Sequence, residues 1–113
     1  MLPIRHRLIK REDFALIYKN GSYAACDGIS MKLLKTNQDF TRIGFPISKK
    51  HLKKAVDRNL TRRILREAAR VNLSALKPGY DLVLMISPEK KALQFSETVI
   101  VLKKLFTKAN LFI

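Results

Sequence analysis

The sequence predicts an α+β fold, a single-domain α/β sandwich with the element order α-β-β-(β)-α-β-α, in which one mixed sheet carries the helices. Two segments within residues 28–47 alternate apolar and polar side chains, as half-buried strands do. Residues 80–86 are apolar on both faces, which indicates a central strand. Three further segments have the apolar period of helices. The 113 residues are enough for one domain, which we expect to span residues 1–113.

The first helix is predicted at residues 10–21. Glu12 and Asp13 suit its N-terminal end, where the helix dipole is positive. Phe14 begins an i, i+3, i+4 pattern that also contains Tyr18, so both aromatic side chains lie on one face. Ordinary packing of the helix on the sheet would account for both residues. Tyr18 has a polar hydroxyl and is therefore expected to reach the surface more readily than Phe14 does.

The predicted strands before the longest helix lie at residues 28–35 ("GISMKLLK") and 40–48 ("FTRIGFPIS"), with the turn "TNQD" between them. The second segment places three large apolar side chains on one side. Pro46 cannot donate a ladder hydrogen bond, so this strand is expected at a sheet edge or with a bulge. A third strand is expected between Lys32 and Arg42 if the turn is tight.

The second half of the chain predicts a long helix, a strand and a last helix. The long helix is expected from Lys54 to Val71, and the "KPG" sequence at residues 77–79 breaks the chain before the central strand. Ser96 is expected to cap the last helix. The buried stripe of that helix is expected to be Val99, Leu102, Phe106 and Ala109.

The net charge of the chain is +14, from 23 Lys and Arg against 9 Asp and Glu. This excess indicates a polyanionic partner, nucleic acid first and an anionic membrane surface second. The N-terminal residues contain no apolar stretch of signal-peptide length, and the longest apolar run, residues 82–86, is too short to span a bilayer. Cys26 is the only cysteine, which suits a reducing compartment. We therefore expect a soluble, cytoplasmic protein.

The predicted long helix separates apolar residues from basic ones. At about 100° per residue, its expected core stripe is Val56, Leu60, Ile64, Ala68 and Val71. The opposite side carries Arg58, Arg62, Arg66 and Arg70, with Arg63 at the border. From Arg42 to Arg70, ten basic residues are opposed by Asp57 and Glu67 alone. Arginines four residues apart repel each other, and a solvated face usually mixes charge signs. An external anionic partner is therefore expected.

RNA is the partner that this helix favours. The planar guanidinium of arginine can hold two phosphate oxygens at once. No helix-turn-helix, zinc-finger or heptad pattern favours DNA, and the apolar stripe has no Trp or Phe for insertion into a membrane. The basic residues expected to bind RNA are Lys49, Lys50, Lys53, Lys54, Arg58, Arg62, Arg63, Arg66 and Arg70.

No catalytic residue and no metal ligand is expected in this chain. His6 and His51 are the two histidines, and neither lies in a recognisable catalytic motif. His51 is expected to be an exposed turn residue or a phosphate contact rather than a general base. Asp13, Asp39 and Asp81 are scattered, whereas a two-metal nuclease site needs clustered carboxylates.

The segment Arg42–Glu67 carries a specific motif. Its parts are Arg42-Ile43-Gly44, Ser48-Lys49-Lys50, Ala55-Val56, Arg58-Asn59, Arg62-Arg63 and Arg66-Glu67. The combination resembles the signature of the protein component of bacterial ribonuclease P. The pattern "REDF---Y--G" near the start, "YDLVLMI" after the basic helix and a closing helix match the same family, so the resemblance covers nearly the whole chain.

The resemblance implies a fold like that of the second domain of ribosomal protein S5, with the order α-β-β-β-α-β-α. The crossover from strand through basic helix to strand is then left-handed, against the usual rule. The basic helix, with Asn59 added to its contacts, and the lysine-rich turn before it would bind the catalytic RNA subunit. A cleft between the first helix and the sheet would receive the 5′ leader of precursor tRNA through Phe14, Tyr18, Lys32 and Arg42, because aromatic faces stack on unpaired bases.

The resemblance also implies how the enzyme divides its work. The RNA would cleave the phosphodiester bond before the mature tRNA 5′ end, with Mg²⁺ held mainly by RNA. One protein per RNA and no membrane partner are expected. A different small basic RNA-binding protein, such as a ribosomal protein, and a protein nuclease that acts alone are the alternatives.

The chain departs from the family pattern at several positions, among them Leu60, Lys32 and Pro46. Leu60 stands where the family often has arginine, and because Leu60 lies on the expected core stripe, one RNA contact is expected to be absent or moved. Lys32 stands where an aromatic residue is common, which weakens base stacking at that point. Pro46 occupies a strand position that usually has an N–H group.

Overall fold

The computed structural model describes residues 4–47, 53–87 and 93–113. Within these ranges, three α-helices and four strands follow the chain as α1 (Arg11–Asn20), β1 (Ser22–Cys26), β2 (Ile29–Lys35), β3 (Arg42–Gly44), α2 (Ala55–Asn72), β4 (Tyr80–Ile86) and α3 (Phe95–Lys108). Short 3-10 turns lie at Ile4–His6 and Leu73–Ala75. The predicted order α-β-β-β-α-β-α and the mixed α+β class are confirmed.

The four strands form one mixed sheet in the order β1-β2-β4-β3. β4 is antiparallel to β2 and parallel to β3, so the apolar segment 80–86 is central, as predicted. β3 is an edge strand and ends at Gly44, two residues before Pro46, which agrees with the edge position that the proline predicts. The connection from β3 to β4 runs through α2 and joins parallel neighbours.

The position expected for the third early strand was wrong. Residues 36–41 form no strand, and the additional strand is β1, which precedes β2. β1 and β2 form a hairpin in which Cys26 pairs with Ile29 across the two-residue turn Asp27-Gly28. Both turn residues have positive φ, 48° and 83°, as a type I′ hairpin turn requires. The Asp-Gly pair was the sequence signal for this hairpin.

The main core lies between one face of the sheet and the helices α2 and α3. Leu82 and Leu84 of β4 point into this core, which also buries Leu102, Leu105 and Phe106 of α3 completely. Two members of the predicted α3 stripe, Leu102 and Phe106, are therefore confirmed, and Val99 and Ala109 are partly buried against the same core. The capping role expected for Ser96 was wrong, because α3 begins at Phe95 and its N-cap is Gln94.

The core stripe expected for α2 was wrong at three of its five positions. Val56 is 74% exposed, Leu60 51% and Val71 50%. The residues that α2 buries are Thr61, Leu65, Ala68, Ala69 and Asn72. This stripe is rotated from the expected one, and its two small alanines allow close packing of the helix. Leu60 therefore points away from the core, and the reason given for a lost RNA contact at this position does not hold.

Helix α1 packs on the other face of the sheet. Ile17 of α1 is fully buried with Leu8 and Val83 in a second, smaller core, to which Phe14 and Met85 add partly buried surface. Because successive strand residues point to opposite faces, Val83 faces α1 while Leu82 and Leu84 face the main core. Tyr23, on β1, is on the same face but is 65% exposed, so α1 covers this face only in part.

Candidate RNA-binding surface

The basic face of α2, which we define as Arg58, Asn59, Arg62, Arg63, Arg66 and Arg70, lies at the protein surface. Arg63, Arg70 and Asn59 are exposed, whereas Arg62 and Arg66 are partly buried. Burial of these two arginines follows from the rotated stripe, because it turns their side of the helix toward the end of β3. The basic face is therefore accessible and also joined to the sheet.

Neutral oxygens hold two of these arginines in place. Arg62 donates from Nε to the carbonyl oxygen of Phe45 (3.2 Å) and from Nη1 to Oδ1 of Asn59 (3.3 Å). Arg58 donates from Nη1 to the carbonyl oxygen of Lys53 at 2.8 Å. These contacts fix the side chains and do not themselves neutralise the guanidinium charge.

Glu67 provides an ion pair on the same helix. Arg70 Nε donates to Glu67 Oε2 at 2.9 Å, and this contact lowers the pKa of the Glu67 carboxyl. The side chain of Arg70 is 50% exposed, and exposed pairs of this kind contribute little to stability. Glu67 therefore orients Arg70 rather than removing it from the surface.

A cavity of about 370 Å³ lies where α2 meets β3 and the N-terminal segment. Arg7, Arg62 and Arg66 line it together with Phe14 and Gly44. The other lining residues are Leu8, Ile9, Ile43, Phe45 and Pro46. We call this the arginine cavity, since three guanidinium groups border it. The sequence had not singled out Arg7, which a bridge between Arg7 and Ile43 brings to the edge of β3.

Arg66 is the least satisfied of these arginines. Its Nε atom is buried without a hydrogen-bond partner. Burial, followed by repulsion from Arg7 and Arg62, lowers the pKa of Arg66. An unpaired buried donor costs about 1–3 kcal/mol, and more when it is charged. An anion in the arginine cavity would supply acceptors to Arg66 and relieve the repulsion.

Gly44 lets the aromatic face of α1 reach the arginine cavity. A Cβ atom at position 44 would lie 2.6 Å from Cζ of Phe14, which is inside van der Waals contact. The ring of Phe14 therefore rests directly on the backbone of β3. Phe14 lies next to Tyr18, with ring centroids 6.4 Å apart and planes inclined by 32°. The two predicted aromatic residues thus continue the surface that begins at the arginine cavity.

Tyr18 and Lys32 meet at the far end of α1. Tyr18 is 42% exposed, and partial burial raises the pKa of its hydroxyl, so the ring stays neutral near pH 7. Lys32 Nζ donates to the backbone carbonyl oxygen of Tyr18 at 2.9 Å. This bond brings a lysine ammonium, which keeps further N–H groups for an anion, to the edge of the aromatic pair.

Arg42 occupies a different environment from the other leader-binding candidates. Its Nε and Nη2 atoms donate to the two carboxylate oxygens of Asp81 at 2.9 and 2.7 Å, and Nη1 donates to Asp13 at 3.2 Å. These contacts, above all the hydrogen bonds to Asp81, raise the pKa of Arg42. The side chain is 18% exposed. Arg42 therefore connects α1, β3 and β4, and most of its donors are already used.

The remaining candidates are placed as follows. Lys53 and Lys54 are exposed just before α2, whereas Lys49 and Lys50 lie outside the described residues, as does His51. His6 Nδ1 lies 2.7 Å from the carbonyl oxygen of Thr41, which gives this histidine a structural contact. Among the described residues, His, Cys, Asp and Glu form no group of three that could hold a metal ion. No helix in these ranges has the length and apolar character needed to cross a membrane.

Comparison with protein families gives a match over nearly the whole chain. A family model described as Ribonuclease P matches residues 2–110. The chain is 39% identical over 111 residues to the ribonuclease P protein component of a Pseudanabaena species, with 97% of this chain and 96% of that relative covered. It is 35% identical over 105 residues to the same component of Clostridioides difficile, with coverage of 92% and 91%.

Solved structures give the same result. The ribonuclease P protein of Staphylococcus aureus superposes with a TM-score of 0.83 at 28% identity, covering 96% of this chain and 98% of that one. The ribonuclease P protein of Thermotoga maritima superposes with a TM-score of 0.79 at 28% identity, with coverage of 90% and 96%.

Proposed function

The chain belongs to the bacterial ribonuclease P protein family, and from this premise we propose how its surfaces serve the enzyme. It is a protein component of ribonuclease P, a subunit of an endoribonuclease that acts in tRNA processing and associates with ribonuclease P RNA. In our proposal, the basic face of α2 binds that RNA, and the aromatic side of α1 binds the 5′ leader of precursor tRNA.

The observation that carries this proposal is the arginine cavity. Arg7, Arg62 and Arg66 converge there although they repel each other, and Arg66 keeps a buried donor without a partner. Guanidinium groups match phosphate oxygens in geometry and charge. A phosphate of the RNA subunit in this cavity would turn an unfavourable arrangement in the free protein into a favourable one in the complex.

The neighbouring aromatic surface supports leader binding. Phe14 and Tyr18 are adjacent, Tyr18 is 42% exposed, and Lys32 brings a positive charge beside them. Aromatic rings stack on unpaired bases with little sequence preference, and a cation near them neutralises the backbone. We assign Arg42 a positioning role at this surface, because Asp13 and Asp81 already engage its guanidinium.

We propose that the RNA subunit carries out the hydrolysis with Mg²⁺ held mainly by RNA, and that the protein supplies affinity for substrate and neutralises charge. We also propose one protein per RNA and a cytoplasmic location. No catalytic residue is assigned to this chain.

The experiment that tests the proposal measures binding of the RNA subunit by Arg66→Ala as a function of salt. We expect weaker binding and a salt dependence smaller by about one phosphate contact, a slope change of roughly 0.7–0.9 in log K against log salt. Lys104→Ala removes one positive charge from an exposed position on α3 and is the matched control. Equal effects of the two variants would contradict the assignment, as would identification of ribosomal RNA in place of ribonuclease P RNA as the RNA that co-purifies.

A further inference from the structure

One line of residues crosses all four strands on the face that carries α1. The pairing places Tyr23 opposite Lys32, Lys32 opposite Val83, and Val83 opposite Gly44. Directly paired residues point to the same face of a sheet. We call this line the cross-sheet row.

Helix α1 covers the cross-sheet row where it passes over β3, β4 and β2. Phe14 lies over Gly44, Ile17 packs on Val83, and the carbonyl oxygen of Tyr18 binds Lys32. α1 then ends at Asn20, and Tyr23 lies beyond it on the edge strand β1. The aromatic side of α1 and Tyr23 therefore lie along one row, with Lys32 between them.

Tyr23 is an exposed aromatic residue that lies outside the leader surface of Phe14 and Tyr18. Its residue surface is 65% exposed, although an aromatic side chain on a sheet face usually packs against a neighbour. A cavity of about 570 Å³ begins at Tyr23 and continues over Ser30 and Met85, which form the next row of the sheet. This part of the face thus offers an aromatic ring beside a recess lined by Ala25, Ser30 and Met85.

We propose that Tyr23 is an additional stacking platform for the leader, so that the single strand runs from Phe14 and Tyr18 past Lys32 to β1. This inference rests on the proposed function and adds the extent of the leader path. The ring of Tyr23 stacks on one further unpaired base, and the ammonium of Lys32 lies between the two tyrosines where the RNA backbone passes. Asp27, exposed at the hairpin turn, would repel phosphates and limits the path at that end.

The charge of this region favours an RNA strand over a protein partner as the occupant. The chain carries a net charge of +14, and Lys32 lies within the row itself. The row ends at Gly44, which borders the arginine cavity, and α1 lies over this end of the row with Phe14 above Gly44. A protein partner on Tyr23 would leave Lys32 without a matching anion unless that partner were acidic.

The experiment compares reconstituted holoenzymes that contain wild-type protein, Tyr23→Ala or Tyr23→Phe. Binding of precursor tRNA is measured with leaders lengthened by one nucleotide at a time, and mature tRNA is the reference. We expect Tyr23→Ala to match the wild type with short leaders and to lose roughly fivefold or more in affinity once the leader reaches β1. Tyr23→Phe keeps the ring and should retain the affinity.

Two controls separate the possible results. Phe95→Ala removes an exposed aromatic ring from α3 and should have no effect that depends on leader length. Tyr18→Ala tests the proposed leader surface itself. If Tyr18→Ala loses affinity for the leader and Tyr23→Ala loses none at any leader length, this inference alone is overturned. If neither variant loses affinity, the proposed leader surface as a whole is overturned. Equal loss for precursor and mature tRNA in Tyr23→Ala would also refute it.

Discussion

The ion pairs of Arg42 give the most direct test of how α1 is held on the sheet. Arg42→Met removes the guanidinium and leaves an unpaired carboxylate at Asp81, whose side chain is 6% exposed. Removal of one partner from a buried pair costs about 3–5 kcal/mol. Because the side chain of Arg42 is itself 18% exposed, we expect the lower end of that range, about 3 kcal/mol of unfolding free energy.

Asp13→Asn removes the weaker part of the same network. Arg42 Nη1 lies 3.2 Å from Oδ2 of Asp13, and both side chains are partly accessible to water. The expected cost is about 1 kcal/mol, which is typical of one hydrogen bond at such a site. The comparison of Arg42→Met with Asp13→Asn therefore separates the buried pair from the contact that reaches α1.

The assay is thermal and urea unfolding followed by circular dichroism on the protein without RNA. For a chain of this length, 1 kcal/mol corresponds to about 4 °C in Tm, so Arg42→Met should melt about 12 °C lower and Asp13→Asn about 4 °C lower. Adding Asp81→Asn to Arg42→Met should recover part of the loss, because no buried charge is then left unpaired. A change below about 1 kcal/mol in Arg42→Met would refute the reasoning.

The same variants distinguish two roles for Arg42 in leader binding. If Arg42 acts by positioning α1, then Asp13→Asn lowers the preference of the holoenzyme for precursor over mature tRNA, since it loosens the link between α1 and β3. If Arg42 contacts the leader directly, Asp13→Asn leaves the preference unchanged or increases it, because a guanidinium donor becomes free. We expect the first result.

Three further predictions address the packing and the charge of the protein. Leu65→Ala should lower the unfolding free energy by about 2–5 kcal/mol, because Leu65 is fully buried. Leu60→Ala should lower it by less than about 1 kcal/mol, because Leu60 is half exposed. Similar losses for the two variants in urea unfolding would contradict the observed α2 stripe. Gly44→Ala should lower the unfolding free energy by about 1–3 kcal/mol and reduce the preference of the holoenzyme for precursor over mature tRNA, because the new methyl group displaces Phe14. If both the unfolding free energy and this preference stay unchanged, the contact between Gly44 and Phe14 is contradicted. Arg66→Met should raise Tm of the free protein at low salt, because it removes an unpaired donor and a repelling charge; a lower Tm would count against this.

Local sequence signals were sufficient for most of the elements of this fold. The apolar segment 80–86 indicated the central strand, and the acidic start and aromatic spacing of residues 10–21 indicated α1. The hairpin between β1 and β2 also had a local signal, the Asp27-Gly28 turn. The sequence prediction placed the additional strand after β2 rather than before it, because the β1 sequence "SYAAC" has only weak apolar alternation.

The core stripe of α2 could not be read from the helix alone. Leu65, Ala68 and Ala69 form a stripe whose flanking positions, Thr61 and Asn72, are polar, so the pattern is less apolar than the one that contains Val56 and Leu60. Ala68 and Ala69 are buried because their small side chains let α2 pack closely on the sheet and on α3, and the sequence of α2 alone does not contain these neighbours. The contacts of Arg42 are equally non-local, because its partners lie 29 and 39 positions away in the chain.

The two surfaces expected from the sequence, the basic helix and the aromatic side of α1, are connected by a glycine. Without a Cβ atom at Gly44, Phe14 can rest on β3 and border the same cavity as Arg62 and Arg66. A larger residue there would separate stacking from phosphate binding. The position thus requires the smallest side chain. In the binding mode proposed above, one continuous surface contacts the RNA subunit and the leader at the same time, and the rigid sheet fixes the distance between the two contacts.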